Sequence, residues 1–459
     1  MKKIIYLLIF LTSSSIVYAQ WWPEVQISDA GENSFTSVNN VWNIATNGNT
    51  VHIVWWDYRN INYEIYYKRS TDAGITWGSE IRLTNNPSNS SYPSIAASGE
   101  VVHIFWEENR DGNFEIYYKR STDDGVTWGT DTRLTYNSLN SVGAVAAVSG
   151  QMVNLVWFDN RDGNNEIYYK RSPDAGISWG PDTRITDNNA ISTAASIAIS
   201  GSVLHVVWRE NRDGNYEIYY KRSSDVGLTW GVDTRLTNNV NFSDVASVAV
   251  TGLFVHVTWS DNRDGNFETY YKRSTDAGLT WGSDMRLTNN PALTEFPNIA
   301  ASGTTVHVVW HDERDGNFEI YSKRSTDNGV NWETDTRITN NSNFQKYPNS
   351  AISGTTLHLV WFDNRTNNTE IFYKRNPTGN PVGIENISNE APSSYSLSQN
   401  YPNPFNPSTK IRFDVMRSDL VTLKVFDVLG REISTLVNES FKPGTYEVEW
   451  DGSSFASGV

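Results

Sequence analysis

Seven times in this chain an acidic residue is followed two positions later by arginine, and five positions after that by glutamate. The sets are Asp57/Arg59/Glu64, Glu108/Arg110/Glu115, Asp159/Arg161/Glu166, Glu210/Arg212/Glu217, Asp261/Arg263/Glu268, Asp312/Arg314/Glu319 and Asp363/Arg365/Glu370. Two carboxylates and a five-donor guanidinium at fixed spacing have two uses. Either the arginine bridges both acids as a clamp across a hairpin, or the set grips vicinal hydroxyls of a ligand. The clamp is the expectation. Under the second use Arg59, Arg110, Arg161, Arg212, Arg263, Arg314 and Arg365 would form a rosette of weak, equivalent binding sites acting through avidity. A cation held by Asp111, Asn113 and Glu115 is disfavoured, because the spacing is no EF-hand and arginine competes for the carboxylates. No metal site and no cofactor are expected.

A catalytic centre has to break such symmetry. His52, His103, His205, His256, His307 and His358 share one phase of a repeat, with Asn154 in the remaining copy. They read as core residues bonded to a neighbouring repeat. His311 alone is out of phase. Glu295 and Asp244 are single-copy acids that could pair as general acid and base; with His311 they are the weak catalytic candidates. Tyr92, Phe242, Phe296 and Tyr347 are isolated aromatics in polar loops and are the candidate ligand contacts. The absence of cysteine excludes a thiol nucleophile and a thiolate metal site.

The elements that must position these residues recur every 51 residues, as Ser70, Ser121, Ser172, Ser223, Ser274 and Ser325 show. Residues 94–135 serve as the specimen. A small-residue strand ends at Gly99, and Val101 to Trp106 is an apolar run fit for a strand covered on both faces. Asp111-Gly112 signals a hairpin, Glu115 to Arg120 forms a third strand, and Asp131 to Thr135 a fourth. Four antiparallel strands in a repeat of this length make a propeller blade. The tryptophans Trp55, Trp106, Trp157, Trp208, Trp259, Trp310 and Trp361 count seven units. The seventh lacks a fourth strand, and residues 24–28 match that strand in sequence. An amino-terminal strand completing the last blade would close the ring and remove its edges.

The turn after the third strand, Ser70-x-Asp72-x-Gly74-x-Thr76-Trp77 and its five copies, resembles the Asp-box (BNR repeat) of the sialidase superfamily. Ser178 and Asn331 are the departures at the threonine position. The resemblance implies a sialidase-like propeller in which Asp72, Asp123, Asp174, Asp225, Asp276 and Asp327 hold turns on the face away from the ligand. It also raises the activity of that superfamily, in which three arginines hold a sialate carboxylate, a Tyr/Glu pair is the nucleophile and an Asp the acid/base. This chain has no Arg-Ile-Pro motif for the first arginine, and its alignable arginines repeat in nearly every unit. The loops between fourth and next first strands (residues 85–93, 238–244 and 289–297) are too short for a deep glycosidase pocket.

Lys2-Lys3, an apolar stretch and Val17-Tyr18-Ala19 read as a secretory signal over residues 1–19. No later stretch is long and apolar enough for a transmembrane helix. Loss of the two leader lysines takes the formal charge from −15 to −17, which argues against nucleic acid and anionic membranes as partners. Aromatic content is 13%, most of it in the repeat and so assigned to packing. Residues 377–396 read as a Pro/Gly/Asn/Ser linker. Residues 397–459, with Tyr401-Pro402-Asn403-Pro404-Phe405-Asn406-Pro407, Leu429-Gly430-Arg431-Glu432 and Pro443-Gly444-Thr445-Tyr446, resemble the C-terminal sorting domain of type IX secretion substrates. The resemblance implies an immunoglobulin-like β-sandwich, here truncated, and the type IX machinery as partner.

The expectation is therefore an all-β chain: a seven-bladed propeller over 21–376, then the sorting domain. It is exported through the periplasm to be secreted or held at the cell surface. It is expected to bind an extracellular glycan or another surface ligand without catalysis. An exo-glycosidase of sialidase type is the alternative, and a purely structural or adhesive module the third possibility.

Overall fold

In the second repeat the four strands are Ser90–Ser98, Val101–Glu108, Glu115–Ser121 and Thr132–Arg133, joined in the order of the chain. The computed structural model describes residues 21–28, 31–37, 42–59, 61–366, 368–377, 385–388, 390–403, 408–426, 432–441 and 443–451. The secretory signal expected over 1–19 lies outside them. The described chain separates into a unit spanning Pro23–Arg375 and a second one that takes in the residues from Asn376 onward.

Among the described residues the first unit contains seven such sheets, the first of them with two short strands, Ser34–Phe35 and Ile44–Asn47, on its second strand in place of one. Each second strand is an apolar run because both faces are covered. Its tryptophan (Trp55, Trp106, Trp157, Trp208, Trp259, Trp310, Trp361) is fully buried. At about 200 Å² of surface per indole, each burial contributes roughly 5 kcal/mol. The apolar clusters join neighbours: Val54, Ile65 and Leu83 of the first sheet pack with Ile104, Trp106 and Tyr117 of the second. Inner strands carry small residues because they converge on an axis. An axial cavity of about 250 Å³ takes its lining from all seven, including Ile44, Ile95, Ala146, Ala198, Ala249, Ile299 and Ser350. The seventh sheet obtains its outer strand from the amino end. Val25–Gln26 pairs antiparallel with Glu370–Asn376 in the register Val25↔Tyr373, and Ser28 Oγ donates to Glu370 at 2.5 Å.

Two polar devices tie sheet to sheet. Lys119 Nζ donates to the Leu83 carbonyl of the preceding sheet, and Arg120 Nη1 to the Ala175 carbonyl of the next at 3.0 Å. The phase-locked histidines are buried as expected, but only His52 is seen to reach a neighbouring sheet, its Nε2 lying 3.4 Å from Asp124; their Nδ1 contacts stay within the sheet. His103 Nδ1 lies 2.7 Å from Tyr118 Oη of its own sheet, as His52, His205, His256 and His358 do from Tyr67, Tyr220, Tyr271 and Tyr373. It is the tyrosine that crosses. Its hydroxyl fills the space beside the Asp-box glycine of the next sheet, so a Cβ on Gly125 (φ 81°) would lie 2.0 Å from Tyr67 Oη.

The second unit holds a four-stranded sheet and the pair Asp419–Phe426 with Glu432–Phe441, sharing one core through Ile411, Phe413, Leu423, Val437 and Val448. The strand Glu385–Ser388 pairs with Gly444–Asp451. Residues assigned by composition to a linker thus contribute to this sheet; Pro/Gly/Asn/Ser content does not prevent a short edge strand.

Candidate functional site

The repeated acid–arginine sets come first. Glu108 faces Glu115 across the hairpin, in register. Both are fully buried, as are their counterparts in the first six sheets. The arginine, however, does not bridge them. Arg110 donates to Glu108 and, at 2.8 Å, to Asp131 of the outer strand, and lies over the Tyr117 ring. Glu115 is held instead by Arg133 at 2.8 Å, by Asn113 and by the Asn137 amide. The hairpin is a six-residue loop, which carries the guanidinium past the facing acid to the outer strand. Arg59, Arg161, Arg212, Arg263, Arg314 and Arg365 repeat this, reaching Glu80, Asp182, Asp233, Asp284, Asp335 and Glu24. Each guanidinium of the alternative rosette is thus engaged by two carboxylates. Glu115, considered as a cation ligand, has its oxygens occupied, and among the described residues no group of three or more acids and histidines is arranged for a metal.

The Asp-boxes lie at the other end of the third strand. Ser121 Oγ, Thr127 Oγ1 and the Thr127 amide all donate to Asp123, at 2.6, 2.5 and 2.8 Å, and hold its carboxyl down at about 2. The departures from the motif keep the donor: Ser178 Oγ bonds Asp174 at 2.6 Å and Asn331 Nδ2 bonds Asp327 at 2.7 Å. Asp72, Asp225 and Asp276 are bonded alike.

At the hairpin end of the axis the symmetry breaks. The residue between the buried tryptophan and the acid of each second strand differs in every sheet but two: Trp56, Glu107, Phe158, Arg209, Ser260, His311 and Phe362. Its partners on the inner strands are Phe35, Ser91, Val142, Thr193, Asp244, Glu295 and Lys346. Directly after each partner in sheets two to seven the register shifts. The bulge residue takes positive φ: Tyr92 50°, Gly143 69°, Ala194 53°, Val245 49°, Phe296 54° and Tyr347 52°. The bulge frees an amide, and the varied side chain of the preceding sheet can accept it. Ser260 Oγ accepts from the Phe296 amide at 3.1 Å, and His311 Nδ1 from the Tyr347 amide at 3.3 Å.

Two arcs result. Sheets six, seven, one and two supply rings in continuous contact: His311 with Phe296, Phe296 with Tyr347 (4.6 Å), Tyr347 with Phe362 (5.2 Å), Phe362 with Phe35, Phe35 with Trp56 (4.9 Å), and Trp56 with Tyr92 (5.0 Å). The rest is mixed: Glu107, Thr193, Arg209, Asp244 and Ser260 are polar, whereas Val142 and Phe158 of sheet three are apolar. Arg209 Nη1 contacts both oxygens of Asp244 at 2.7 and 2.8 Å. Lys346 lies 3.8 Å over Phe318, its ammonium weakened by burial and partly restored by Glu295 and Glu313. Burial pushes the Glu107 carboxyl up to about 8 against a hydrogen bond from the Gly143 amide, and its Oε2 has no hydrogen-bond partner. At neutral pH this acid retains its proton.

Of the sequence candidates, Tyr92, Phe296, Tyr347, Asp244, Glu295 and His311 meet at this mouth. Phe242 does not belong to the ring; it sits on the preceding loop, 6.4 Å from Tyr216. Asp244 and Glu295 occupy equivalent positions in adjacent sheets, but Asp244 is taken by Arg209 and Glu295 leans toward His311 Nε2 at 3.9 Å. His311 is buried, held neutral by that burial, and accepts the Tyr347 amide. Its ring lies 5.3 Å from that of Phe296 and 5.4 Å from that of Tyr347. Sequence reasoning missed Trp56, Glu107, Arg209 and Lys346. The available signal was variability between two nearly invariant neighbours.

A family model for a secretion system C-terminal sorting domain matches residues 399–459. Sialidases of Paraclostridium sordellii and Clostridium perfringens are 25% identical to this chain over 233 and 237 residues, covering 42% and 48% of it. The match takes in 55% and 52% of those proteins, so the chain spans about half the length of the curated relatives. Among solved structures, the polysaccharide lyase Uly1 superposes with a TM-score of 0.56 at 10% identity, covering 78% of this chain and 100% of that one. That likeness is one of fold. The chain is an all-β protein with a sialidase-like propeller, exported to the cell surface or beyond through a type IX sorting domain.

Proposed function

We propose that the propeller binds an extracellular glycan at the mouth of its axial channel and does no chemistry there. One observation carries this: the residues that differ from sheet to sheet gather at a single place, with one run of rings in contact and several polar groups beside it, while the repeated charges are engaged with one another. A concave site with apolar walls and few convergent polar groups is what sugar-sized ligands require. The domain limits that accompany this reading are a signal over 1–19, the propeller over 21–376 and the sorting domain from 397 onward. Export places the mouth where glycans of other cells or of the medium can reach it.

Hydrolysis of sialosides is the second reading, and two observations favour it. Sialidases are among the relatives, and Glu107 beside Tyr92 is a buried acid able to donate a proton near neutrality. Against it stands Arg209, the one guanidinium of the mouth among the described residues, which is already paired. The test is turnover of a fluorogenic sialoside by the full chain, with a glycan array alongside. Glycan retention with no turnover is expected. Turnover abolished by Glu107→Gln or Glu295→Gln would reverse the order of the two readings, and neither binding nor turnover would leave a purely adhesive module.

A further inference from the structure

We infer that the ligand site runs outward from the mouth onto the hairpin of the first sheet, and so takes a run of several sugars; this rests on the mouth being a glycan site. That hairpin joins Thr50–Asp57 to Glu64–Ser70 and opens on the face of the mouth. Three of its residues depart from what the other sheets repeat. After the acid of the second strand stands Tyr58, where five sheets have asparagine. Those asparagines serve the fold: Asn109, Asn160, Asn211, Asn262 and Asn364 each accept an amide of the preceding loop, between 2.7 and 3.2 Å. Tyr58 is instead 44% exposed. At the turn, Asn60-Ile61 replaces the Asp-Gly of five sheets, and Ile61 is 89% exposed at φ 76°. Where the other hairpins are polar, this one carries apolar surface into solvent.

This surface is continuous with the mouth. Tyr92 contacts Trp56, Trp56 contacts Tyr63 with centroids 4.6 Å apart, and Tyr63 contacts Tyr58 at 5.0 Å. Trp56, Tyr63 and Tyr92 are half-buried, and the row ends at the exposed Tyr58. A sugar ring stacks on one aromatic face, so four rings in a row offer more than a terminal residue can use. A row that ends in solvent also lets a chain leave the site, where an enclosed pocket would stop it. A protein partner would cover roughly 20 residues a side, far more than this patch supplies, so the occupant it fits is an extended glycan. Sugars of one chain that stack on successive rings reinforce each other, and affinity should therefore rise with chain length.

The experiment titrates the full chain with cello-, laminari-, manno-, xylo- and galacturono-oligosaccharides, each as dimer and hexamer. In the series that binds, the hexamer should bind at least about tenfold more tightly than the dimer. In the double variant Tyr58→Asn/Ile61→Gly that ratio should fall below about threefold. Both substitutions install what other sheets carry, and Gly112 and its counterparts hold the turn position at φ 90–102°. The melting temperature should therefore not fall. Tyr58→Asn alone, which leaves the turn untouched, should lower the ratio as well. Tyr92→Gly, at the mouth, should weaken dimer and hexamer alike, in a bulge that Gly143 already occupies at φ 69°. Equal affinity for dimer and hexamer, or an unaltered ratio in the hairpin variants, overturns the inference and leaves the glycan site standing. Failure of every series overturns both.

Discussion

Tyr92, Phe296 and Tyr347 occupy a left-handed backbone conformation that glycine would adopt at roughly 1 kcal/mol less cost. The bulge itself belongs to the repeat, since Gly143, Ala194 and Val245 share it; positive φ there is no mark of function. The rings are what the proposed glycan site adds to this shared bulge. The hairpin arginines are the reverse case, repeated in every sheet and engaged in holding it together. Arg110→Ala should cost about 3 kcal/mol in urea unfolding, since it strands Glu108, which is fully buried and keeps only Trp106 Nε1 and Ser90 Oγ as donors. Arg110→Lys should recover little, because one ammonium cannot span Glu108 and Asp131 as the fork does. A loss of glycan binding in Arg110→Ala at unchanged stability would contradict this.

At the level of the element, the unit of cohesion is a histidine, a tyrosine and the next Asp-box glycine. The copy without histidine identifies the direction of the bond: Tyr169 Oη donates to Asn154 Oδ1 at 2.8 Å. By the same geometry Nδ1 of His52, His103, His205, His256 and His358 accepts, which requires a neutral ring. Burial, then the adjacent arginine, lowers His103, His205 and His256 to about 4. The folded state thus binds fewer protons than the unfolded one between pH 6.5 and 4. Stability is complete above 6.5 and falls as pH descends through that window, by about 1.4 kcal/mol per unit for each histidine. A melting temperature flat from pH 7 to 4.5 would refute the assignment. His103→Asn, copying Asn154, should flatten part of the decline. A later acid step belongs to Asp123 and its equivalents, whose lowered carboxyls add stability above 3.8 that is lost toward pH 2.

At the scale of the molecule, the seventh sheet depends on a segment more than 300 residues away in the chain. Ile27 is buried against Ile371, Ser28 satisfies Glu370, and Glu24 completes the Arg365 clamp. Removing residues 21–28 should therefore cost at least about 3 kcal/mol, from one buried isoleucine and one stranded buried acid. The loss should appear in thermal unfolding of the whole propeller, because each sheet packs on two neighbours. A truncated chain that melts like the parent would mean that the amino-terminal strand merely decorates the edge.

The repeat length, the strands, the turns and the closing segment were legible in the chain because each rests on contacts that recur at constant sequence spacing. A pattern seen seven times reports the surroundings that all copies share. The sorting domain was legible for another reason, a distinctive run of residues. Partner choice was not. Spacing placed Arg110 next to Glu115, and the six-residue hairpin carried it to Asp131. Nor could spacing reveal that Trp56, Glu107, Arg209 and Lys346 stand around one opening with Tyr92, Phe296 and Tyr347. Convergence at the axis depends on the register of each inner strand, on a bulge and on how neighbouring sheets meet. The burial that keeps a proton on Glu107 exists only once those sheets have closed around it.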